Sequence, residues 1–184
     1  MRDKCIAAIQ KQTDYMNHLV ANLLFLSRGD SGAQALQKEP VDLENMLGEI
    51  ADERRTFDPK HSYCLQAKAL SVMADENLLR QLMLILLDNA AKYTPAGKRI
   101  SIKAAHAAGG TEIAVQDEGC GVPEEQLEKI FDRFYRVDKA RARQTGGTGL
   151  GLAIASAIVG MHGGDIAAQN APGGGLIVTV RIPA

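Results

Sequence analysis

The chain has 184 residues, 46% hydrophobic and 23% charged, a composition that supports a folded core and excludes wholesale disorder. Its 21 Lys and Arg face 22 Asp and Glu for a formal charge of −1, so no overall basic field points to nucleic acid as a partner. Eighteen glycines against 4% aromatics and no Trp favour close backbone approach to a ligand over base stacking on aromatic platforms.

The elements follow in chain order. Arg2 to about Ser27 reads as one helix, because Ile6, Ile9, Thr13, Met16, Val20, Leu23 and Ser27 recur in steps of three and four. Leu19, Leu24 and Leu26 widen that stripe, which fits a coiled coil or helical bundle better than packing on its own domain. Gly29-Asp30-Ser31-Gly32 ends the helix, and a polar linker runs to Pro40. The organisation is therefore a helix over 1–30, a linker over 31–40 and an α/β domain over 41–184.

Within that domain, Val41-Asp42-Leu43 begins a strand that leads into a helix to about Thr56, and Tyr63–Ala67 and Ser71–Ala74 read as strands. Asp75-Glu76-Asn77 caps an apolar helix that runs to Lys92 and stops before Thr94-Pro95. Strands near Arg99–Ala105 and Glu112–Gln116 precede an irregular segment from about Glu118 to Thr148. A helix from Gly149 to about Met161 and strands near Asp165–Gln169 and Leu176–Ile182 complete the chain.

Cys5, Cys64 and Cys120 are odd in number and form no metal-binding spacing, which fits buried or half-buried thiols in a reducing compartment. The longest aliphatic run, Leu82 to Leu87, is too short to span a bilayer, and Met1-Arg2-Asp3-Lys4 opens no signal-peptide pattern. The chain reads as cytoplasmic and as one part of something larger.

Four segments carry candidate chemistry. Asn89, Lys92 and Tyr93 lie within one turn at the end of the apolar helix, where an amide oxygen suits Mg²⁺ and an ammonium suits phosphate, although a solvent-facing helix end is also ordinarily polar. Asp117 closes a strand and can accept from an exocyclic amine. Gly119 and Gly121 after it clear space for a flat base, though an Asp-Gly pair also makes a plain turn. Gly146-Gly147-Thr148-Gly149-Leu150-Gly151-Leu152 opens a helix, whose free N–H groups and positive end cradle phosphate. It is not a dinucleotide fingerprint, since Leu152 holds the third glycine position and no strand immediately precedes it, and no Walker-type loop exists in the chain. Phe131-Asp132-Arg133-Phe134-Tyr135-Arg136, with Lys139, Arg141 and Arg143, forms a cationic, lid-like stretch between the second and third segments.

In their order and spacing these segments resemble the N, G1, F and G2 boxes of the histidine-kinase ATP-binding domain, within the gyrase/chaperone/histidine-kinase/mismatch-repair ATPase superfamily. His162-Gly163-Gly164, Gly173-Gly174-Gly175 and the closing Ile182-Pro183 fit as well. The resemblance covers about residue 40 to the end, and the first helix is similar to the second helix of the family's dimerisation hairpin. It implies a two-layer α/β sandwich of the Bergerat type, a mixed sheet of about five strands with about three helices on one face. It also implies roles by residue. Asn89 would coordinate Mg²⁺ and Lys92 would contact phosphate. Tyr93 would lie along the adenine or ribose. Asp117 would bind the adenine amine, with Gly119 and Gly121 shaping the pocket and Val122 packing on the base. Arg136 would reach the γ-phosphate. The backbone of Thr148, Gly149, Leu150, Gly151 and Leu152 would hold the phosphate chain. Residues from about Pro123 to Gly147 would form a lid.

Two departures qualify the resemblance. Ile85 stands where family members usually carry an Asn four residues before the Mg²⁺ ligand and where chaperone and gyrase relatives carry a water-activating Glu, so the expectation is either a weaker metal site or one that relies more on water, and a hydrolytic role is disfavoured. None of His18, His61, His106 and His162 has the phosphoacceptor context of a following acid and an Arg-Thr/Ser-Pro stretch, so each reads as a surface or packing residue. The chain begins where the second hairpin helix would begin, and the expectation is a truncated sensor kinase whose substrate histidine lies elsewhere. The expected partners are ATP, a response regulator and a second copy through the helical hairpin. No nucleic acid is expected, and membrane attachment only through upstream regions. The alternatives are a non-catalytic nucleotide-sensing module and a Ser/Thr kinase of the anti-sigma-factor type, the latter disfavoured by the bundle helix and by Ile85.

Overall fold

The computed structural model describes residues 13, 16–17, 19–27, 36–137 and 148–184. The chain divides between Ala35 and Leu36 into two compact units. In the first, residues 19–27 are helical, with Leu26 buried and Met16, Val20, Leu23 and Leu24 exposed. Ile6, Ile9, Cys5, His18 and Gly29 to Gly32, named above, lie outside the described residues, as do Lys139, Arg141, Arg143, Gly146 and Gly147 of the lid-like stretch.

The second unit follows the order β1 (Glu39–Asp42), α1 (Leu43–Phe57), β2 (Ser62–Gln66), β3 (Ser71–Ala74), α2 (Glu76–Tyr93), β4 (Arg99–Ala107), β5 (Gly110–Asp117), two short 3-10 turns (Glu124–Gln126 and Lys129–Phe131), α3 (Gly151–Met161), β6 (Asp165–Asn170) and β7 (Leu176–Pro183). Five strands form one mixed sheet in the order β2-β4-β5-β7-β6. In it β2 runs parallel to β4 and every other pair is antiparallel. β1 and β3 pair antiparallel in a separate two-stranded sheet. The sandwich anticipated from the resemblance is thus present, with the helices packed on one face of the five-stranded sheet.

Local chemistry sets the boundaries. Asp42 caps α1 by accepting from the Asn45 N–H at 3.0 Å, and Asp75 caps α2 by accepting from the Leu78 N–H at 3.2 Å. Pro95 disfavours helical backbone at the residue before it, and Thr94 is extended at φ −86°, ψ 130°, which ends α2. α3 starts at Gly151, two residues later than the Gly149 start expected from the glycine-rich segment. Gly149 has φ +73°, a left-handed conformation that cannot belong to a right-handed helix.

The core lies between sheet and helices. Along β5 the residues Thr111, Ile113, Val115 and Asp117 are buried, and on β7 Leu176, Val178, Val180 and Ile182 are, the period of two expected when one face is covered. Ile100, Ile102 and Ile113 meet an apolar stripe on α2 that includes Leu79, Leu82, Met83 and Leu87, all fully buried. Each such side chain contributes about 1.5–3 kcal/mol by leaving water. His162, 1% exposed, fastens the far ends of two helices together: its Nε2 accepts from the Asp75 N–H at 3.0 Å and its Nδ1 donates to the Ile158 carbonyl at 2.8 Å. That is the packing role expected of it, whereas His106 is exposed.

The cysteine expectation is corrected. Cys64 and Cys120 are both exposed, Cys64 because it alternates with the buried Tyr63 on the edge strand β2 and Cys120 because it sits in the loop after β5.

Candidate nucleotide site

The C-terminal half of α2 is the spine of the site. Ile85, Asn89 and Lys92, at i, i+4 and i+7, share one half-buried stripe, while Leu86, Leu87 and Ala90 anchor the opposite side in the core. Lys92 Nζ lies 5.3 Å from the Tyr93 ring centroid. Burial, helped by the neighbouring Arg136 guanidinium, holds the Lys92 ammonium below its ordinary value, so this lysine favours an anion that would neutralise it.

The end of that helix is clamped. Thr94 Oγ1 donates to the Ala90 carbonyl at 2.8 Å. His61 Nε2 lies 3.0 Å from the Thr94 carbonyl, and its Nδ1 lies 2.6 Å from Asp58 Oδ2. The Tyr63 hydroxyl donates to the same Asp58 oxygen at 2.7 Å. Burial and the adjacent Asp58 carboxylate push the Tyr63 phenol well above its ordinary range.

One end of the site is built where β5 stops. Asp117, 6% exposed, accepts from the Gly119 N–H at 2.7 Å and from the Leu176 N–H at 3.2 Å, both at Oδ1. Among the described residues nothing engages Oδ2, which remains a strong acceptor for an incoming donor. Burial raises the carboxyl above its ordinary 3.8, against the pull of those two N–H groups. A Cβ on Gly119 would lie 2.6 Å from the Tyr93 carbonyl, so the loop presses directly on the end of α2. Gly175, at φ +97°, passes so close to Asp117 that a Cβ would meet the Asp117 carbonyl oxygen at 2.0 Å.

The other end lies about eight residues, or roughly 12 Å, back along α2. A Cβ on Gly151 would be 3.5 Å from Ile85 Cγ2, which seats the start of α3 against that side chain. No side chain caps the first turn of α3, and the Thr148 hydroxyl accepts from the Leu150 N–H at 3.2 Å just before it. The Gly149 carbonyl accepts from the Phe134 N–H at 2.9 Å, and a Cβ on Gly149 would press on Phe134 at 2.9 Å. Phe134 itself has φ +63°, and its neighbour Tyr135 is pinned by its hydroxyl to Gln126 Oε1 at 2.9 Å.

Three of the segments found in the sequence therefore gather around the fourth, the C-terminal half of α2. Gly119 abuts Tyr93, Arg136 lies near enough to Lys92 to affect it electrostatically, Gly149 abuts Phe134, and Gly151 abuts Ile85. Sequence reasoning missed Asn170, at the end of β6, whose side chain bonds both backbone groups of Val122. It also missed the Asp58–His61 clamp. An Asn at a strand end and a lone His carry no signal of their own.

Residues 74–184 match the family model of histidine kinase-, DNA gyrase B-, and HSP90-like ATPases. The chain is 38% identical over 179 residues to sensor histidine kinase WalK of Bacillus subtilis (strain 168), a match spanning 95% of this chain and 29% of that protein. It is 37% identical over 181 residues to signal transduction histidine-protein kinase BaeS of Escherichia coli (strain K12), spanning 97% of this chain and 39% of that protein. The solved structure of full-length ShkA in complex with AMPPNP matches with a TM-score of 0.81 at 28% identity, over 96% of this chain and 37% of that one. The chain thus spans well under half the length of each of these three proteins. With a family model matched over most of its length and sensor kinases matched over nearly all of it, the chain belongs to the histidine kinase-, DNA gyrase B-, and HSP90-like ATPase family.

Proposed function

We propose that this chain is the ATP-binding catalytic part of a sensor histidine kinase. The observation that carries the reading is the convergence of three segments on the fourth, the C-terminal half of α2, with a buried carboxylate offering a spare oxygen at one end and an uncapped helix start at the other. The adenine amine donates to Asp117 Oδ2, with Tyr93 and Val122 against the base. Gly119 and Gly121 shape the pocket indirectly: the space a Cβ would take is filled by the Tyr93 carbonyl and by Asn170, so the glycines let the loop pack closely and do not themselves clear room for the base. The triphosphate extends along α2 towards Lys92, Arg136 and the backbone of Thr148, Gly149, Leu150, Gly151 and Leu152.

The donor set also fits Mg²⁺. Among the described residues no cluster of three or more His, Cys, Asp or Glu could cage a metal. Asn89 supplies one amide oxygen on the site face and Ile85, one turn away, supplies none. One protein oxygen completed by phosphates and water is the coordination Mg²⁺ prefers. When bound, the ion would neutralise charge on the phosphates; Lys92 and Arg136 do the same work from the protein side.

In the intact kinase a histidine nitrogen, borne on a phosphoacceptor helix hairpin, attacks the γ-phosphorus as the bond to the β,γ-bridging oxygen breaks, and ADP leaves. The phosphoryl group then passes to an aspartate of a response regulator. The helix over 19–27 belongs to that hairpin and contributes to a homodimer. As in a sensor kinase, the chain would lie on the cytoplasmic side of a membrane-bound protein.

Calorimetric titration with ATP, with and without Mg²⁺, tests the reading. Mg²⁺ tightens ATP binding to the wild type, and Asn89→Ala removes that gain. Affinity indifferent to both Mg²⁺ and Asn89→Ala would overturn the assigned role.

A further inference from the structure

We propose that Asn170 is a positioning residue for the base end of the site, acting by holding Val122 in register. Its Oδ1 accepts from the Val122 N–H at 2.9 Å, and its Nδ2 donates to the Val122 carbonyl at 2.7 Å. A backbone N–H only donates and a carbonyl only accepts, so the orientation of the carboxamide is fixed by its partners. One side chain thereby satisfies both polar groups of a residue 48 positions away, as a neighbouring strand would.

The loop geometry shows why a side chain is needed there. β5 ends at Asp117 and the chain turns away, so Val122 lies beyond the ladder that joins β5 to β7. Asp117 fixes only the first half of the loop, through Gly119. The second half is held by Asn170 from β6, the edge strand at the far side of β7. Gly121 makes room for that bridge: it has φ +69°, and a Cβ on it would lie 2.7 Å from Asn170 Oδ1. The turn from β6 to β7 carries Gly175, which backs onto Asp117. Asp117 and Val122 are therefore braced by the same hairpin, Asp117 through the Leu176 N–H and Val122 through Asn170.

This inference rests on the nucleotide reading, in which Val122 packs on the base. Loss of two net hydrogen bonds, each a few-fold in an equilibrium, predicts that Asn170→Ala weakens ATP binding roughly tenfold. Asn170→Asp keeps the shape, but one carboxylate oxygen then faces the Val122 carbonyl, so ATP binding weakens at least as much.

The decisive experiment is a double-mutant cycle on ATP affinity with Asn170→Ala and Val122→Ala. Each single change weakens binding, and the double variant is no weaker than Asn170→Ala alone, because a Val122 that has lost its register has nothing left to lose. Independent, multiplying effects overturn the proposal, as does a Val122→Ala variant with wild-type affinity. If Asn170→Ala does not fold, Asn170→Ser enters the same cycle with a smaller loss and the same criterion. A wild-type chain that binds no ATP sinks the nucleotide reading itself, whereas a wild type that binds with uncoupled variants sinks only this inference.

Discussion

Replacing Asp117 by Asn separates its structural work from its recognition of the base. Both loop bonds, from the Gly119 and Leu176 N–H groups, converge on Oδ1, and an amide oxygen accepts them equally. Asp117→Asn therefore leaves the fold intact and removes a buried charge. The other oxygen becomes an NH₂ that points a donor at the adenine amine. A hydrogen bond to a charged acceptor is worth about 1.5–3 kcal/mol, so ATP affinity falls by roughly 10- to 150-fold. Asp117→Ala instead orphans two N–H groups, costing about 1–3 kcal/mol each, and lowers stability as well as affinity. pH gives an independent check. Burial raises the Asp117 carboxyl above 3.8, so its contribution to folding is fully present below that value and is lost as pH rises through the raised one. ATP binding has the opposite sign, weakening as pH falls through the same window, and this dependence is absent in Asp117→Asn. Calorimetric ATP titration over pH, alongside urea denaturation, reads both. An Asp117→Asn variant that binds ATP like the wild type refutes the assignment of Oδ2 to the base.

Three further outcomes follow from the packing. Gly175→Ala drives a Cβ into the Asp117 carbonyl at φ +97° and costs more than about 3 kcal/mol, whereas Gly173→Ala, at φ +95° but facing open space, costs only about 1–2 kcal/mol of backbone strain; paired thermal melts check this. His162→Ala leaves the Asp75 N–H without its acceptor and opens a cavity between α2 and α3, a loss of about 2–4 kcal/mol measurable by urea denaturation. Although burial works to raise it, the bonds from His61 and Tyr63 hold the Asp58 carboxyl below 3.8, so its stabilisation is present above that value and is lost as pH falls through the lower folded one; Asp58→Asn flattens that part of an acid denaturation series.

Much of the fold was legible because it is written locally. Asp42 and Asp75 announce the starts of α1 and α2, Pro95 announces the end of α2, and the alternation in β5 and β7 gives one buried face. Pairing is not local, so nothing near Val41 or Ser71 signals that β1 and β3 form a sheet of their own. The start of α3 was set two residues early because a glycine-rich segment does not declare which glycine is left-handed. Within the candidate site, Asn89, Lys92, Asp117 and the glycines stand out in the sequence as a set through their order and spacing. Asn170 and His61 were hidden because each acts through backbone atoms that only the fold brings within reach.

The most direct test of the central claim supplies the chain with a separate phosphoacceptor helix hairpin, Mg²⁺ and γ-labelled ATP, and asks where the label goes. The account predicts acid-labile phosphate on a histidine of the hairpin, lost in Asn89→Ala and strongly reduced in Asp117→Asn. ATP bound tightly with no label transferred under any of these conditions contradicts it and leaves a nucleotide-sensing module.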